Sequence, residues 1–340
     1  MKKLTILMII LDILVAICFF VTYGLTNFKY TIIATAMGTK NHQWIAYTFY
    51  SDETINKVLA ADSYIPFDEN ANIDDIVIDT AEKKSYDNEY DEQVLTRDEG
   101  NDLYKVIPVK VADRWDAWII AIYDPSKVQL MHSAVFNQGG KGVESVAHMS
   151  SRYGAVVGIN GGGFAQNAAS YGLDIPRGYV IKNGKVIWSD SDNKSNIIGI
   201  SNDNKLMLVN ATGQEAIDMG MRDGLEFGPF LIVNGKRLEF VGQGGGYARA
   251  SRTAIAQRKD GIILFLVTKG FNHGFEGATT GEVIDTLLKY GAYNAANLDG
   301  GTSSTLVVNG SVINSPRNDW GDPANGGEGR YVVTAWGLVP

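Results

Sequence analysis

Residues 297–304, Asn-Leu-Asp-Gly-Gly-Thr-Ser-Ser, bring together one carboxylate, two glycines and three hydroxyls. An apolar run, residues 292–298, leads into Asp299, so the carboxylate is expected at a strand end, where rigid scaffolds often hold functional groups. Glycine adopts positive φ at little cost and lets a ligand or a second backbone come close. The pattern is consistent with a functional carboxylate at Asp299. The alternative is a Gly-Gly turn whose Asp bonds its own backbone.

Two earlier segments carry residue types that suit the same kind of site. Residues 158–164 read Gly-Ile-Asn-Gly-Gly-Gly-Phe, in which Asn160 could donate to a ligand and Phe164 could form a pocket wall. Residues 251–256 read Ser-Arg-Thr-Ala-Ile-Ala and place Arg252 at the start of an apolar strand. A planar guanidinium can bind two phosphate oxygens at once. The structural alternatives are a turn Asn, a core Phe and an ion-paired Arg.

Taken in their order along the chain, these three segments resemble the phosphodiester glycosidase family. The resemblance covers roughly residues 150–338. The resemblance implies hydrolysis of the bond between the anomeric carbon of a sugar and a phosphate diester. The departing phosphate monoester has a second pKa near ~6, so a strong general acid matters less than in an ordinary glycosidase. The demands are a cation or hydrogen-bond donors for phosphate, and a carboxylate for water or for the oxocarbenium-like centre.

The resemblance also implies residue roles. Asp299 and Glu282 are the expected catalytic carboxylates, and the alternative for Glu282 is a stabiliser in the first turn of a helix. Glu226 and Asp174, near glycine- and proline-rich loops, are further candidates for the second carboxylate. The expected substrate-binding residues are Arg252, Asn160, Gly163, Phe164, Asn297, Gly300, Gly301, Thr302, Ser303 and Ser304.

Two rival functions fit the same residues. A metal-dependent phosphodiesterase would cut P–O instead of C–O, using a divalent cation such as calcium held by Asp299 and other oxygens, although the sequence lacks a carboxylate loop of the EF-hand type. A non-catalytic module that binds envelope polysaccharide would keep the fold without the chemistry. One cysteine, and four histidines without ligand spacing, exclude a Cys/His zinc site; no other cofactor is expected.

The charge distribution limits the kinds of molecule that the chain is expected to bind. The chain of 340 residues has a net charge of −8, which argues against a nucleic-acid partner. Residues 62–102 hold 14 Asp/Glu and 3 Lys/Arg, a net −11, which leaves +3 for the rest. The remainder is therefore compatible with an anionic substrate, and the acidic segment is expected to be a solvated linker.

The N-terminus predicts a membrane anchor. Lys2 and Lys3 precede an apolar run over residues 4–25, which has the length of a membrane helix and favours an N-inside orientation. Asp12 interrupts the run at a cost of about 2.5–3.5 kcal/mol on insertion scales. The alternative is a cleaved signal peptide. We therefore expect a single-pass protein of the cell membrane with an extracellular catalytic domain, acting on a carbohydrate phosphodiester of an envelope polysaccharide or wall polymer.

The remaining pattern predicts an α+β fold, in which a β-rich mixed sheet domain with several hairpins and a few packed helices follows the one transmembrane helix. The expected organisation is an anchor at 1–25, a stalk and acidic linker at 26–102, and a phosphodiester glycosidase-like domain at 103–340. Ser51 is the expected N-cap of a helix in the stalk, and Thr280 that of a helix before Asp299. Hairpin turns are expected at Asn183-Gly184, Asn234-Gly235, Asp260-Gly261 and Asn309-Gly310.

Overall fold

A computed structural model describes residues 2–39, 41–79, 81–83, 85–136, 143–168, 173–242, 246–270, 276–318 and 320–340. It confirms the expected α+β class, with antiparallel sheets at the centre and helices packed against them. The helices are α1 Lys2–Phe19, α2 Thr26–Met37, α3 Gln43–Phe49, α4 Asp52–Asp62, α5 Glu89–Leu95, α6 Val146–Tyr153, α7 Gly213–Asp218 and α8 Thr280–Lys289. A π-helical segment, Phe20–Gly24, extends α1, and 3-10 turns lie at Ile73–Asp75, Pro125–Lys127, Gly301–Ser303 and Ala324–Gly327.

The strands are numbered in chain order. The first ten are β1 Tyr64–Ile65, β2 Tyr104–Val111, β3 Trp115–Ile122, β4 Val128–His132, β5 Val157–Asn160, β6 Phe164–Ala168, β7 Leu173–Pro176, β8 Val180–Lys182, β9 Lys185–Trp188 and β10 Ser195–Ser201. The others are β11 Leu206–Ala211, β12 Met221–Glu226, β13 Phe230–Val233, β14 Lys236–Arg237, β15 Glu239–Phe240, β16 Thr253–Arg258, β17 Ile263–Thr268, β18 Ala292–Asn297, β19 Leu306–Val308, β20 Ser311–Val312 and β21 Thr334–Leu338.

Three larger sheets organise these strands. Their strand orders are β14-β13-β18-β16-β17-β3-β2, β20-β19-β5-β21-β4 and β11-β10-β12-β8-β9, and β1-β15 and β6-β7 form separate pairs. In the seven-stranded sheet β18 lies between β13 and β16, and in the second sheet β5 lies between β19 and β21. The strands that lead to Asp299 and to the Gly161–Gly163 segment are therefore interior strands of two sheets.

The dipeptide turns confirm the expected hairpins. The four dipeptides connect β8 to β9, β13 to β14, β16 to β17 and β19 to β20. Asn and Gly both have positive φ at the three Asn-Gly turns, as a type I′ turn requires, whereas only Gly261 does so at Asp260-Gly261. The position of a turn was thus readable from the sequence even where the turn geometry differs.

Two hydrophobic cores lie on the two faces of the seven-stranded sheet. The larger core packs this sheet against the two five-stranded sheets and includes Phe265, Ile159, Leu298 and Trp336. On the opposite face α8 contributes Val283, Ile284 and Leu287, the apolar stripe expected from its 3.6-residue period, and α5 contributes Val94 and Leu95. The cap of α8 is Thr279, one residue before the expected Thr280.

The segment expected to be a stalk and linker is packed. Helices α2, α3 and α4 bury a small core against Tyr247 and Ala248, and Ser51 caps α4 as expected. Farther along, backbone amides of Val77 and Asp79 donate to the carbonyls of Lys259 and Asp260. The acidic segment therefore runs along the sheet domain, although most of its carboxylates face solvent.

One helical stretch, Ile6–Gly24, is long and apolar enough to cross a membrane, and its side chains are exposed. This agrees with the predicted apolar anchor in length and composition. A signal sequence has the same properties, so the choice between anchor and cleaved signal stays a prediction. The orientation across a membrane also stays a prediction.

Candidate functional site

Asn160 joins three segments at the centre of the site. It ends β5, is fully buried, and its Nδ2 donates to the main-chain oxygen of Asp299 at 2.6 Å. Its Oδ1 accepts from Thr253 Oγ1 at 2.9 Å and from the Thr305 amide at 3.1 Å. The Asp299 amide in turn donates to the Gly161 carbonyl at 3.0 Å. The ends of β5 and β18 are thus held together through Asn160, so Asn160 positions the backbone of Asp299.

The carboxylate of Asp299 is partly buried beside three polar groups, those of Ser303, Arg330 and the Gly300 amide. Burial raises its pKa, against the hydrogen bond from the Ser303 hydroxyl, the charge of Arg330 and the Gly300 amide, which all lower it. The net result is a pKa above the ordinary value for Asp. Such a carboxylate is a stronger base than a solvated one, while Arg330 still favours its ionised form.

Arg330 is a cation beside Asp299 that the sequence interpretation did not consider. Its Nη1 lies 3.5 Å from Ser303 Oγ, and its guanidinium carbon stands 4.8 Å from the centre of the Phe164 ring. The Phe164 ring therefore makes a cation–π contact with the Arg330 guanidinium. Arg330 follows a glycine-rich run, residues 326–329, just before the closing strand β21. That run could have drawn attention to Arg330, but it does not show that Arg330 meets Ser303.

The glycine triplet allows close packing around this centre. A Cβ at Gly161 would lie 2.9 Å from the Thr334 main chain, and one at Gly163 would lie 3.1 Å from the Phe227 ring. The Gly162 amide donates to Thr334 Oγ1 at 3.1 Å. Any larger residue at Gly161 would push β5 and β21 apart. The triplet therefore serves backbone packing beside Asp299, and the expected substrate contact of Gly163 stays a prediction.

The turn after Asp299 is fixed by its backbone. The Gly301 amide donates to the Ser251 carbonyl at 2.8 Å, and Gly301 has a φ of 59°, which favours glycine. Ser303 and Ser304 are fully buried, whereas Thr302 is partly exposed. Within the described residues the Ser304 hydroxyl has no hydrogen-bond partner.

Asn297, at the end of β18, donates through Nδ2 to the Gly228 carbonyl at 3.4 Å. This contact fixes the Gly228-Pro229 loop, which contains a cis peptide bond, against the strand that leads to Asp299. The expected substrate-binding role of Asn297 therefore coexists with a structural contact.

The main chain of Arg252 runs beside that of Asp299, but its guanidinium is bound by the loops at residues 248 and 278. The Leu298 amide donates to the Thr253 carbonyl, which sets the two chains side by side. Arg252 Nε donates to the Ala278 carbonyl at 3.0 Å and Nη2 to the Ala248 carbonyl at 2.6 Å. Burial lowers the pKa of Arg252 to about 10, while the charges of Asp62 and Glu282 raise it. Arg252 is still a cation at neutral pH, and it holds two loop carbonyls.

Glu282 is held by two arginines at the start of α8. Its oxygens accept from Arg249 at 2.9 and 3.0 Å and from Arg114 at 2.6 Å. It also completes a capping box with Thr279. Burial raises the pKa of Glu282, but the hydrogen bonds from Arg249 and Thr279 outweigh it and leave a net decrease. This environment matches the stabilising alternative that the sequence left open.

Glu226 and Asp174 lie on strands that flank the glycine triplet. Glu226 ends β12, and its Oε2 accepts from Ser195 Oγ at 2.5 Å. A Cβ at Gly162 would lie 3.0 Å from the Glu226 main-chain oxygen, so the triplet and this strand end are in contact. Asp174 is buried in β7, which pairs with the strand that begins at Phe164. The main chain of Glu226 is thus brought next to the triplet from far along the chain, whereas Asp174 is placed only on a strand that pairs with the segment after the triplet.

Within the described ranges, no three His, Cys, Asp or Glu side chains are grouped so that they could hold one metal ion. A divalent cation at this site would have to combine the Asp299 carboxylate with main-chain or hydroxyl oxygens, the donor types that calcium accepts. The divalent-cation requirement stays a prediction.

Comparison with known proteins assigns the chain to a family. A family model described as phosphodiester glycosidase matches residues 153–339, more than half of the chain and all the residues grouped around Asp299. The SPbeta prophage-derived uncharacterized protein YomE of Bacillus subtilis (strain 168) is 29% identical over 182 residues. That alignment covers 51% of this chain and 27% of YomE, so the chain matches about a quarter of that relative's length.

A solved structure shows the same fold. The catalytic domain of zebrafish N-acetylglucosamine-1-phosphodiester alpha-N-acetylglucosaminidase, auto-inhibited by its pro-peptide, superposes with a TM-score of 0.55 and 19% identity. The match covers 70% of this chain and 82% of the zebrafish chain. The chain belongs to the phosphodiester glycosidase family, hydrolases that act on phosphodiester glycosidic bonds.

Proposed function

We propose that this hydrolase cleaves the bond between the anomeric carbon and the phosphate of a sugar-1-phosphodiester in a cell-envelope polysaccharide or wall polymer, outside the membrane. The supporting observation is the pairing of the Asp299 carboxylate with the Arg330 guanidinium through Ser303. The carboxylate suits the anomeric carbon of the scissile bond, and the guanidinium suits its phosphate.

Asp299 serves the carbon end. Its backbone is held by Asn160 and Gly161, so its carboxylate has little freedom to turn away from a bound sugar. In the ionised form it stabilises the positive charge that develops at the anomeric carbon, or takes the proton of the attacking water. The raised pKa makes it a better proton acceptor.

Arg330 serves the phosphate end, in place of the expected Arg252. Its guanidinium can donate to two phosphate oxygens, and the Phe164 ring limits its motion before substrate binds. The Ser303 hydroxyl lies between the acid and the cation. For the second carboxylate Glu226 is preferred to Glu282, because the Glu226 main chain lies beside the glycine triplet and its carboxylate accepts from a single hydroxyl, that of Ser195, whereas the oxygens of Glu282 are bound by two arginines.

Purified sugar-1-phosphodiesters test the proposal directly. Wild-type protein should release free sugar from at least one member of a panel, and Asp299→Asn should lower the rate by about 100-fold or more. Asp285→Asn is the matched control, because Asp285 is an exposed acid on α8 that pairs with Arg237. Full activity of Asp299→Asn would contradict the assignment.

Isotope labelling identifies the bond that breaks. Hydrolysis in heavy-oxygen water should place the label in the released sugar, since water attacks the anomeric carbon. Label in the phosphate would mean P–O cleavage and would favour the metal-dependent phosphodiesterase instead. The same reactions with and without a calcium chelator test the divalent cation.

A further inference from the structure

Helix α3 exposes three large side chains. Trp44, Tyr47 and Phe49 are 58%, 57% and 50% exposed, whereas Ala46 on the same helix is fully buried against α2 and α4. A seven-residue helix that presents this much aromatic surface to water would be unfavourable without a partner.

The end of α3 is hydrogen-bonded to the end of the candidate membrane span. Tyr23 Oη donates to the Phe49 carbonyl at 2.7 Å, and Tyr50 Oη donates to the Thr22 carbonyl at 3.3 Å. The rings of Tyr23 and Tyr50 also contact each other at a tilt of 51°, with centroids 5.5 Å apart. Because the span covers Ile6–Gly24, Thr22 and Tyr23 mark the depth at which it leaves the membrane. The end of α3 is therefore at the same depth.

A second aromatic segment adjoins the start of the helix. The Trp320 ring is 68% exposed and lies edge-on to His42, the N-cap of α3, at a centroid distance of 5.2 Å. Trp320 belongs to the loop that leads to Arg330. We call Trp44, Tyr47, Phe49 and Trp320 the aromatic surface.

The charge of the segment that contains α2 and α3 suits a lipid headgroup region, whereas Trp320 is flanked in sequence by Asp319 and Asp322. Residues 13–51 contain Lys29 and Lys40 and no Asp or Glu, although the chain has 38 acidic residues in all. Acidic residues begin again at Asp52, on the helix that follows. Tryptophan and tyrosine are enriched at membrane interfaces, where the ring is apolar and its polar atom stays hydrated.

We propose that the aromatic surface lies in the headgroup region of the phospholipid bilayer that the candidate span enters. The domain is then held at the membrane at two points, the span and the aromatic surface. Helix α2 connects the aromatic surface to the sheet domain. The Arg249 amide donates to Thr35 Oγ1 of α2, and the Tyr30 ring of α2 packs on Tyr247.

Fluorescence quenching by brominated phospholipids tests the proposal. The full chain is reconstituted in nanodiscs of phosphatidylcholine and phosphatidylglycerol, with bromine near the top of the acyl chains, and its tryptophan emission is compared with that in unbrominated discs. We expect quenching in the wild type and loss of most of it in the double variant Trp44→Phe/Trp320→Phe. Trp188→Phe is the matched control, because Trp188 lies in β9 of the sheet domain, and it should keep the quenching.

A second variant guards against a folding defect. Tyr47→Glu changes an exposed residue and should reduce the quenching of Trp44 by placing a charge in the headgroup layer. Absence of quenching in the wild type, or equal quenching in the wild type and both aromatic variants, would overturn the proposal. This readout needs no substrate, so its failure would leave the proposed hydrolysis untouched.

Discussion

At the scale of single residues, the site combines a carboxylate that the fold destabilises with groups that keep it in place. Asp299 is buried enough for its pKa to rise, yet Asn160 fixes its main chain and Ser303 and Arg330 face its carboxylate. A group that is unfavourable for stability and rigidly positioned is what catalysis by a carboxylate requires.

Asp299→Asn should therefore lose activity without losing stability. The folded-state pKa of Asp299 lies above its unfolded value, so between the two values the folded state binds more protons and stability falls as pH rises. Above the folded pKa, the ionised Asp299 costs stability. The variant should melt at or above the wild-type temperature at pH 7, and the difference should disappear as the pH falls below about 4. A clear drop in melting temperature at pH 7 would show that the carboxylate is structural.

Arg330 and Arg252 offer a matched comparison of two cations. Arg330→Gln should lower kcat/KM by about 10²–10³-fold, the usual effect of removing one donor to developing negative charge. Arg252→Lys should mainly lower the melting temperature, because it loses the bonds to Ala248 and Ala278. If Arg252→Lys instead loses activity with unchanged melting, Arg252 is the phosphate-binding residue and Arg330 is not.

From the sequence, Asp299 could be singled out, whereas the neighbouring cation Arg330 could not. Asp299 was visible because an apolar run ends at a Gly-Gly turn. Arg330 was not, because no local pattern indicates that residues 303 and 330 meet. Arg252 was preferred for its place in a strand, and its guanidinium direction depends on the loops at residues 248 and 278, whose approach to β16 is a tertiary contact.

At the scale of elements, hairpins and helix caps follow from local chemistry, so their positions were predicted well. The N-cap of α8 is Thr279 and not the predicted Thr280. Both threonines could cap the helix, but only Thr279 is three residues before Glu282, with which it forms a capping box. The acid first assigned to catalysis thus also defines where the helix begins.

Glu282→Gln should destabilise the fold more than it slows hydrolysis. The change weakens the contacts with Arg249 and Arg114 and the capping box, which together are worth about 1–3 kcal/mol. We expect kcat/KM within about twofold of wild type at a temperature where both are folded. Glu53→Gln, an exposed first-turn acid of α4, is the control and should change stability by less than about 0.5 kcal/mol. A large loss of activity with unchanged stability would restore Glu282 as a catalytic residue.

At the scale of the whole molecule, composition indicates which segments are acidic but not which are packed. Residues 62–102 have the charge of a linker, yet Ile76, Val94 and Leu95 are buried. A few apolar residues at the right spacing outweigh a large charge excess, since the carboxylates between them can remain in water.

A chain that starts at residue 103 should therefore be less stable than one that starts at residue 63, although the sequence suggested 103 as the domain boundary. The shorter chain loses α5, whose Val94 carbonyl accepts from Tyr123 Oη at 3.0 Å. It also loses Asp91, which binds the buried Arg258 at 2.9 Å, so Arg258 keeps only Asp260 as an acidic partner within the described residues.

The loss should exceed that of a single core truncation, about 2–5 kcal/mol, because three buried apolar side chains and a buried ion-pair partner leave together. Urea unfolding of the two chains, followed by intrinsic fluorescence, measures it as a lower midpoint for the shorter chain. Asp91→Asn in the longer chain separates the ion pair from the apolar contacts. Equal midpoints for the two chains would mean that residues 63–102 contribute no stability, and the original linker interpretation would stand.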